Sequence, residues 1–241
     1  KCLCSTGSPL SPESFDFINK FINSDMQIGS ISGGTDILSC FVLNNPLDEV
    51  ISGEIQCRGL GMAVDVFDEE GNSVTDTPGE LVCTKPFPSM PIMFWNDPDG
   101  KKYQEAYFDY YPNVWRHGDW TKLTRRGSLV IFGRSDATLN PGGVRIGTAE
   151  IYKVVESFGE ILESIVIGQE WEDDIRIVLF VKLKEKISLD EKLKTEIKNK
   201  LRQLVSPRHV PAKIISVTDI PRTRSGKITE LAVRDVINGK K

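Results

Sequence analysis

Four glycine-bearing stretches hold the residues of this chain whose types and spacing suit chemistry on an anion. Ser30-Ile31-Ser32-Gly33-Gly34-Thr35-Asp36 follows an apolar run and offers bare backbone amides and a hydroxyl to a phosphate, with Asp36 placed for that phosphate's magnesium. A simple tight turn would use the same glycines. His117-Gly118-Asp119 sets a carboxylate just past a glycine, where its two oxygens suit a ribose diol; an aspartate there also serves as a backbone cap. Gly133-Arg134-Ser135-Asp136 and Pro141-Gly142-Gly143-Val144-Arg145 place two always-charged guanidiniums in one glycine-rich stretch, fitted to clamp an oxyanion or to pair with a surface carboxylate. Finally, Pro221-Arg222-Thr223-Arg224-Ser225-Gly226-Lys227 is a basic loop ending in a lysine, open to nucleic acid, a phosphate or solvent. Generic nucleotide fingerprints fail. Gly59-Leu60-Gly61 is followed by Val64 where a dinucleotide motif needs its third glycine, and Gly226-Lys227 is followed by Ile228, with Pro221 where a phosphate loop needs glycine.

The positive charge is regional. Residues 182–241 carry sixteen Lys and Arg against seven Asp and Glu, a surplus of nine, although the net charge of the 241-residue chain is −4. A basic tail invites an anionic partner, and a helix face studded with solvated lysines accounts for the same excess. A nucleic-acid-binding module is one such reading, but the tail lacks aromatics interleaved with its basic residues to stack on bases. Five cysteines (Cys2, Cys4, Cys40, Cys57, Cys83) are odd in number and show no CxxC spacing, so neither a disulfide framework nor a zinc site is expected. With two histidines in all, a histidine-based metal centre is not expected either. No apolar run nears the roughly 20 residues that span a bilayer, and no apolar stretch follows Lys1 to make a signal peptide. A cytoplasmic, reducing setting is the expectation.

These loops need a frame, and the patterning supplies one of mixed α+β class. Ser11-Pro12-Glu13 caps a helix that Phe15, Ile18, Phe21 and Ile22 continue at helical spacing. Met26–Ser32 reads as a strand. From about Val50 to Phe132 short apolar runs alternate with turn signals such as Pro78-Gly79 and Asp99-Gly100, the pattern of antiparallel sheet. Beyond Leu129–Phe132 the spacing changes. A helix through Ile151, Val154, Val155 and Phe158, strands at 165–168 and 175–183, and a helix striped by Leu189, Leu193, Ile197, Leu201 and Leu204 follow. A strand at 214–217 and a helix at about 229–238 complete an α+β unit, so two domains are expected, 1–135 and 136–241.

In this order the loops resemble one family over essentially the whole chain, the adenylate-forming acyl-CoA synthetases. Thr35-Asp36 is similar to the family's Thr-Glu nucleotide motif, His117-Gly118-Asp119 to its ribose-binding Thr-Gly-Asp, Gly133–Asp136 to its hinge, and Arg222–Lys227 to its catalytic-lysine loop. The resemblance implies a largely antiparallel C-terminal part of a large AMP-binding domain, then a small mobile domain. It implies ATP, Mg2+ and CoA as substrates and metal, small-molecule partners rather than nucleic acid, and no membrane span. Gly7, Ser8 and Pro9 would lie along the adenine. Gly33, Gly34 and Thr35 would line the adenylate and acyl pocket, Asp36 would serve the magnesium, Asp119 and Arg134 the ribose, and Arg145 the phosphates. Lys227 would be the catalytic cation and a target for regulatory acylation, Asp136 the hinge, and Gly142 and Arg202 CoA contacts.

Departures from the family pattern carry their own expectations. Asp36 is one methylene shorter than the usual Glu, and Ser8 stands where Glu is common. Gly33 replaces a pocket-filling Trp of acetate-specific relatives, which opens room for a four-carbon acid such as acetoacetate and also for other short acids. The phrases Ser32–Ile37, Phe94–Asp97 and Gly133–Arg145 resemble those of acetoacetate-activating members of the family. The family's Ser/Thr/Gly-rich phosphate loop has no counterpart in the chain, so the 241 residues are expected to be a C-terminal share of the enzyme, inactive alone.

Overall fold

Near the amino terminus, β1 (Cys2–Ser5) crosses over through α1 (Pro12–Phe17) to β2 (Gln27–Ser30), which pairs with it in parallel from Cys2↔Gln27 to Ser5↔Ser30. This computed structural model describes residues 1–224 and 226–240 and divides into two units, Lys1–Phe132 and Gly133–Lys241. Ser225 of the lysine loop lies outside the described residues. Ser11 caps α1, its hydroxyl accepting the Ser14 N–H at 3.3 Å, and Phe15 and Ile18 pack with Ile28 in a small core. The apolar face expected to continue through Phe21 and Ile22 does not. The Asn23 N–H bonds five residues back to the Ile18 carbonyl at 3.0 Å, so the chain widens into a π turn. That wider turn rotates Phe21 and Ile22 off the buried side, leaving them 65% and 54% exposed.

The single strand expected over Met26–Ser32 is two. After the Ile31 N–H bonds the Ser5 carbonyl, the chain leaves β1 and enters β3 (Ser32–Gly34), antiparallel to β4 (Ser39–Leu43), which pairs with β5 (Cys57–Arg58). The four-stranded sheet that follows runs in the order β6 (Val64–Phe67), β7 (Pro78–Cys83), β8 (Trp115–Leu123) and β9 (Leu129–Arg134), with α2 (Lys101–Tyr107) between β7 and β8. In β7 and β8, Leu81, Trp115 and His117 are buried, as are Phe41 and Leu129. The Trp115 ring lies 5.4 Å edge-on from Phe87.

In the second unit α3 (Thr148–Val155) precedes β10 (Ile161–Trp171), which pairs antiparallel with β11 (Asp174–Leu183). Then α4 (Glu191–Leu204) crosses over to β12 (Lys213–Ser216), parallel to β11, and α5 (Glu230–Ile237) ends the unit. The α4 stripe is narrower than its leucine spacing suggests. The Asp190 carboxylate takes the Leu193 N–H at 2.8 Å and starts the helix there, so Leu193, Ile197 and Leu201 are buried, Leu189 precedes the helix, and Leu204 is 66% exposed. On the outer face Lys192–Glu196 and Lys194–Glu191 pair at 3.9 and 2.7 Å. Part of the basic excess is thus a solvated helix face.

Helix α5 contributes no fully buried side chain, and a cleft of about 400 Å3 lined by Thr138, Glu230, Arg234 and Asn238 separates part of it from β10. Polar ties hold it instead. The buried Tyr152 hydroxyl takes the Val166 N–H at 3.2 Å and donates to the Glu230 carboxylate. Burial pushes the Glu230 carboxyl up against the opposing hydrogen bonds from Tyr152 and Thr148, with nearby Asp136 raising it and Arg134 lowering it. Burial likewise raises Glu156 against bonds from Ser164, with Glu163 and Arg222 nearby. Both groups bind protons more tightly folded than unfolded, so their stabilisation is complete below the ordinary glutamate value of about 4.3 and is lost as pH rises through their folded values. Glu230→Gln is therefore expected to raise the denaturant midpoint of the chain at pH 8 relative to pH 4.5, compared with the wild type. An unchanged difference between those two midpoints would refute this origin of the pH dependence.

Candidate functional site

Parallel pairing of β1 and β2 has a local consequence. Both strands end at the same sheet edge, so the exposed Gly7-Ser8-Pro9 loop after β1 and the chain leaving Ser30 emerge together, and the carboxyl ends of parallel strands are where ligands bind in such sheets. Gly7, at φ +95°, turns the chain there. Ser32, at the start of β3, donates its hydroxyl to Asp119 Oδ2 at 2.7 Å and so ties the glycine-rich strand to β8. Asp119 is only 7% exposed. His117 Nε2 lies 3.2 Å from the Gly33 carbonyl and 3.8 Å from the same Asp119 oxygen. Because the carbonyl only accepts, the proton belongs on Nε2. The imidazole is steadied edge-on by Phe41, at 4.8 Å between ring centres.

Gly33 has a reason other than an open pocket. A Cβ built there would collide with the Ser39 carbonyl oxygen and lie 2.6 Å from Cys40 Cα on β4, so a side chain would run into paired backbone. The bare Cα lets β3 and β4 meet. Gly34 is similar in kind, since its Cβ would stand 3.1 Å from His117 Cε1. Thr35 and Asp36 are exposed in the turn from β3 to β4, which the Leu38 N–H closes on the Thr35 carbonyl at 3.2 Å.

Asp36 has a partner that sequence reasoning missed. The Tyr107 hydroxyl, at the end of α2, donates to Asp36 Oδ2, and the Tyr107 ring stacks on Trp115 at 3.6 Å and 15°. Helix α2 exists because the Asp97 carboxylate takes the Lys102 and Tyr103 N–H groups at 3.0 and 2.9 Å. Asp97-Pro98-Asp99-Gly100-Lys101-Lys102 is the available signal, of which Asp99-Gly100 reads as a turn. Among the described residues no group of three or more His, Cys, Asp or Glu could hold a metal. A lone exposed carboxylate fits Mg2+ only where phosphate oxygens and water complete the shell.

In the second unit Arg134 and Asp136 pair at 3.4 Å across one tight turn, Ser135–Ala137, flanked by extended residues Arg134 and Thr138. Arg234 of α5 donates to the Asp136 carbonyl at 2.6 Å. Gly142 and Arg145 sit in an exposed loop whose base is the Leu139↔Ile146 bridge. Lys227 is exposed at the end of another small loop. The Thr223 N–H bonds the Lys227 carbonyl at 2.8 Å, the Lys227 N–H bonds Thr223 Oγ1 at 3.1 Å, and Arg222 Nη1 bonds the Gly226 carbonyl at 2.7 Å. Arg202, on the solvent side of α4, donates to Asn199 at 3.2 Å. The structure therefore brings Ser32, Gly33, Gly34, His117 and Asp119 together in the first unit, while the arginines and Lys227 of the second have separate local settings.

Residues 150–227 match the family model described as AMP-binding enzyme C-terminal domain. Over 240 residues the chain is 64% identical to acetoacetyl-coenzyme A synthetase of Rhizobium meliloti, with 100% of the chain and 37% of that protein covered. The whole chain is thus similar to the C-terminal part of adenylate-forming enzymes. It is also 50% identical to acetoacetyl-CoA synthetase of Xenopus tropicalis, covering 36% of it. The solved acetoacetyl-CoA synthetase of Streptomyces lividans superposes with a TM-score of 0.91 at 48% identity, covering 100% of this chain and 37% of that one. A benzoate CoA ligase of Burkholderia xenovorans LB400 superposes at 0.81 with 26% identity, covering 97% and 45%. The chain thus spans little more than a third of the length of its curated relatives. Its mixed α+β architecture, mostly antiparallel, is that of the C-terminal part of adenylate-forming enzymes. Among the described residues no helix is long and apolar enough to cross a membrane.

Proposed function

We propose that the protein carrying this chain ligates acetoacetate to CoA through an acetoacetyl-adenylate. The observation that carries the reading is identity of 64% along the whole chain to an acetoacetyl-CoA synthetase, with each glycine-rich motif in family order. In the first step the acid's carboxylate attacks the α-phosphorus of ATP and pyrophosphate leaves. In the second the CoA thiol attacks the acyl carbon and AMP leaves. Asp119, its Oδ2 held by Ser32, takes the ribose hydroxyls with Arg134; Gly7, Ser8 and Pro9 flank the adenine; Gly33, Gly34 and Thr35 line the adenylate. Asp36, steadied by Tyr107, is the carboxylate this chain offers to Mg2+, whose charge neutralises phosphate oxygens. Arg145 faces the phosphates, and Lys227 meets the negative charge that gathers during adenylation.

One exposed lysine loop cannot serve both steps from one place, so residues 136–241 turn about Asp136 relative to 1–135 and present the Gly142 loop and Arg202 to CoA in the second step. Acylation of the exposed Lys227 amine would erase its charge and stop adenylation, a form of control. The setting is cytoplasmic, the partners are small molecules, and no nucleic acid is involved. Intact protein assayed with acetoacetate, acetate and butyrate is expected to release pyrophosphate fastest with acetoacetate. A marked preference for acetate would overturn the substrate, and no acid-dependent release at all would overturn the ligase.

A further inference from the structure

Residues 139–146 leave the core of the second unit as a loop that has a fixed base and an exposed tip. Leu139 and Ile146, each 1% exposed, exchange backbone hydrogen bonds at 2.9 and 2.8 Å and close the base. Between them Gly142, Gly143, Val144 and Arg145 are exposed. Gly142 and Gly143 stand at φ +58° and +77°, with no atom within 4 Å of where a Cβ would be. Their lack of a side chain therefore answers to backbone conformation and not to crowding. Two consecutive glycines populate several shapes about equally, so a single conformation needs an outside tie.

Asp174, the first residue of β11, supplies that tie. Its Oδ1 and Oδ2 lie 3.0 and 3.2 Å from the Gly142 nitrogen, across thirty-two positions of sequence, and Oδ1 also takes the Ile175 N–H at 2.7 Å. The Gly142 amide, then that of Ile175, hold its carboxyl below the usual range. A carboxylate serving only its own turn would face Ile175 alone. Here both oxygens are turned to the glycine loop, and charge-assisted bonds of this kind are about twice as strong as neutral ones.

We propose that Asp174 is a positioning residue for the CoA-dependent half-reaction: by clamping the Gly142 amide it holds the glycine loop in the one conformation that receives the thiol substrate. The inference rests on the reading above that this loop serves CoA. A loop already ordered spares the incoming substrate the cost of ordering it, which appears in the affinity for CoA and the rate of its step. The preceding adenylation draws on this loop only through Arg145, next to the closed Leu139–Ile146 base, and not on Gly142 at the clamped tip.

The test uses the intact enzyme with Asp174→Ala, Asp174→Asn and Asp174→Glu. Acetoacetate-dependent exchange of pyrophosphate into ATP reports adenylation, and thioester formation from supplied acetoacetyl-adenylate reports the CoA step. Asp174→Ala is expected to leave exchange and the ATP KM within about twofold and to worsen kcat/KM for CoA about tenfold. Asp174→Asn keeps one acceptor oxygen and Asp174→Glu keeps the charge, so each recovers part of the loss. Amide hydrogen exchange at Gly142 should quicken in Asp174→Ala while Leu179 in β11 keeps its protection. Equal loss in both half-reactions, or an unchanged CoA step whatever the exchange rate at Gly142, overturns the proposal. A wild-type enzyme that performs neither half-reaction fails the ligase reading instead, and unchanged exchange at Gly142 then disposes of the clamp as well.

Discussion

Replacing Lys227 by alanine in the intact enzyme is expected to cut acetoacetate-dependent exchange of pyrophosphate into ATP by about 100- to 1000-fold, the loss typical of removing one preorganised charge stabiliser. Thioester formation from supplied acetoacetyl-adenylate should stay within about twofold of the wild type, since in the mechanism proposed above the lysine loop serves adenylation alone. The structure makes the substitution a clean one. The loop closes through the backbone N–H and carbonyl of Lys227 on Thr223, and through Arg222 on the Gly226 carbonyl, so its shape does not depend on the ammonium. Arg222 also pairs with Glu163 at 3.3 Å and anchors the loop to β10. Lys227→Arg distinguishes charge from geometry. A compact ammonium and a planar fork present charge differently, so arginine should recover little. Equal loss in both half-reactions would contradict the role assigned to Lys227.

What the sequence shows of this fold follows the range over which its signals act. Short apolar runs within Val64–Phe67 and Pro78–Cys83, set off by turn residues, reveal antiparallel sheet because runs of that length between tight turns fold back on their neighbours. The α4 stripe is legible from its helical spacing, and its start one residue past Asp190 only trims it. By contrast β1 has four residues and no alternation to read, and it is a strand only because β2 lies beside it. The π turn at Ile18–Ile22 keeps a helical residue pattern while changing its rotation, so Phe21 and Ile22 look buried and are exposed.

The site divides in the same way. Glycines, hydroxyls and charges sit in short loops that the chain writes contiguously, so the motifs can be read. The ties between them cannot, because Ser32 meets Asp119 across 87 positions and Tyr107 meets Asp36 across 71. Asp99-Gly100 reads as a turn, while Asp97 two residues before it is the cap that makes α2 and so places Tyr107. Gly33 shows the converse difficulty. A missing side chain reads as empty space in sequence, and the structure fills that space with the backbone of β4. Substrate size is therefore better probed by assay across acids than by enlarging residue 33.

Asp136→Pro is expected to separate the two half-reactions by restricting motion. Residues 135–137 form a single tight turn between extended Arg134, at ψ 137°, and extended Thr138, at ψ 138°. The proposed rotation of residues 136–241 would have to be absorbed by the torsions of such a segment. Proline at 136 fixes its own φ and drives Ser135 away from helical torsions, so the segment loses the freedom to interconvert. Arg234 bonds the carbonyl of residue 136, which proline retains, so the tie to α5 survives. Asp136→Ala removes the carboxylate paired with Arg134 and leaves φ free, which makes it the control. The proline variant should lose about 100-fold in one half-reaction and keep the other, since a misplaced reacting group costs about that much. The alanine variant should keep both within several-fold. Matching losses in the two variants would assign the effect to the ion pair, and unimpaired turnover of the proline variant through both steps would remove Asp136 as the hinge.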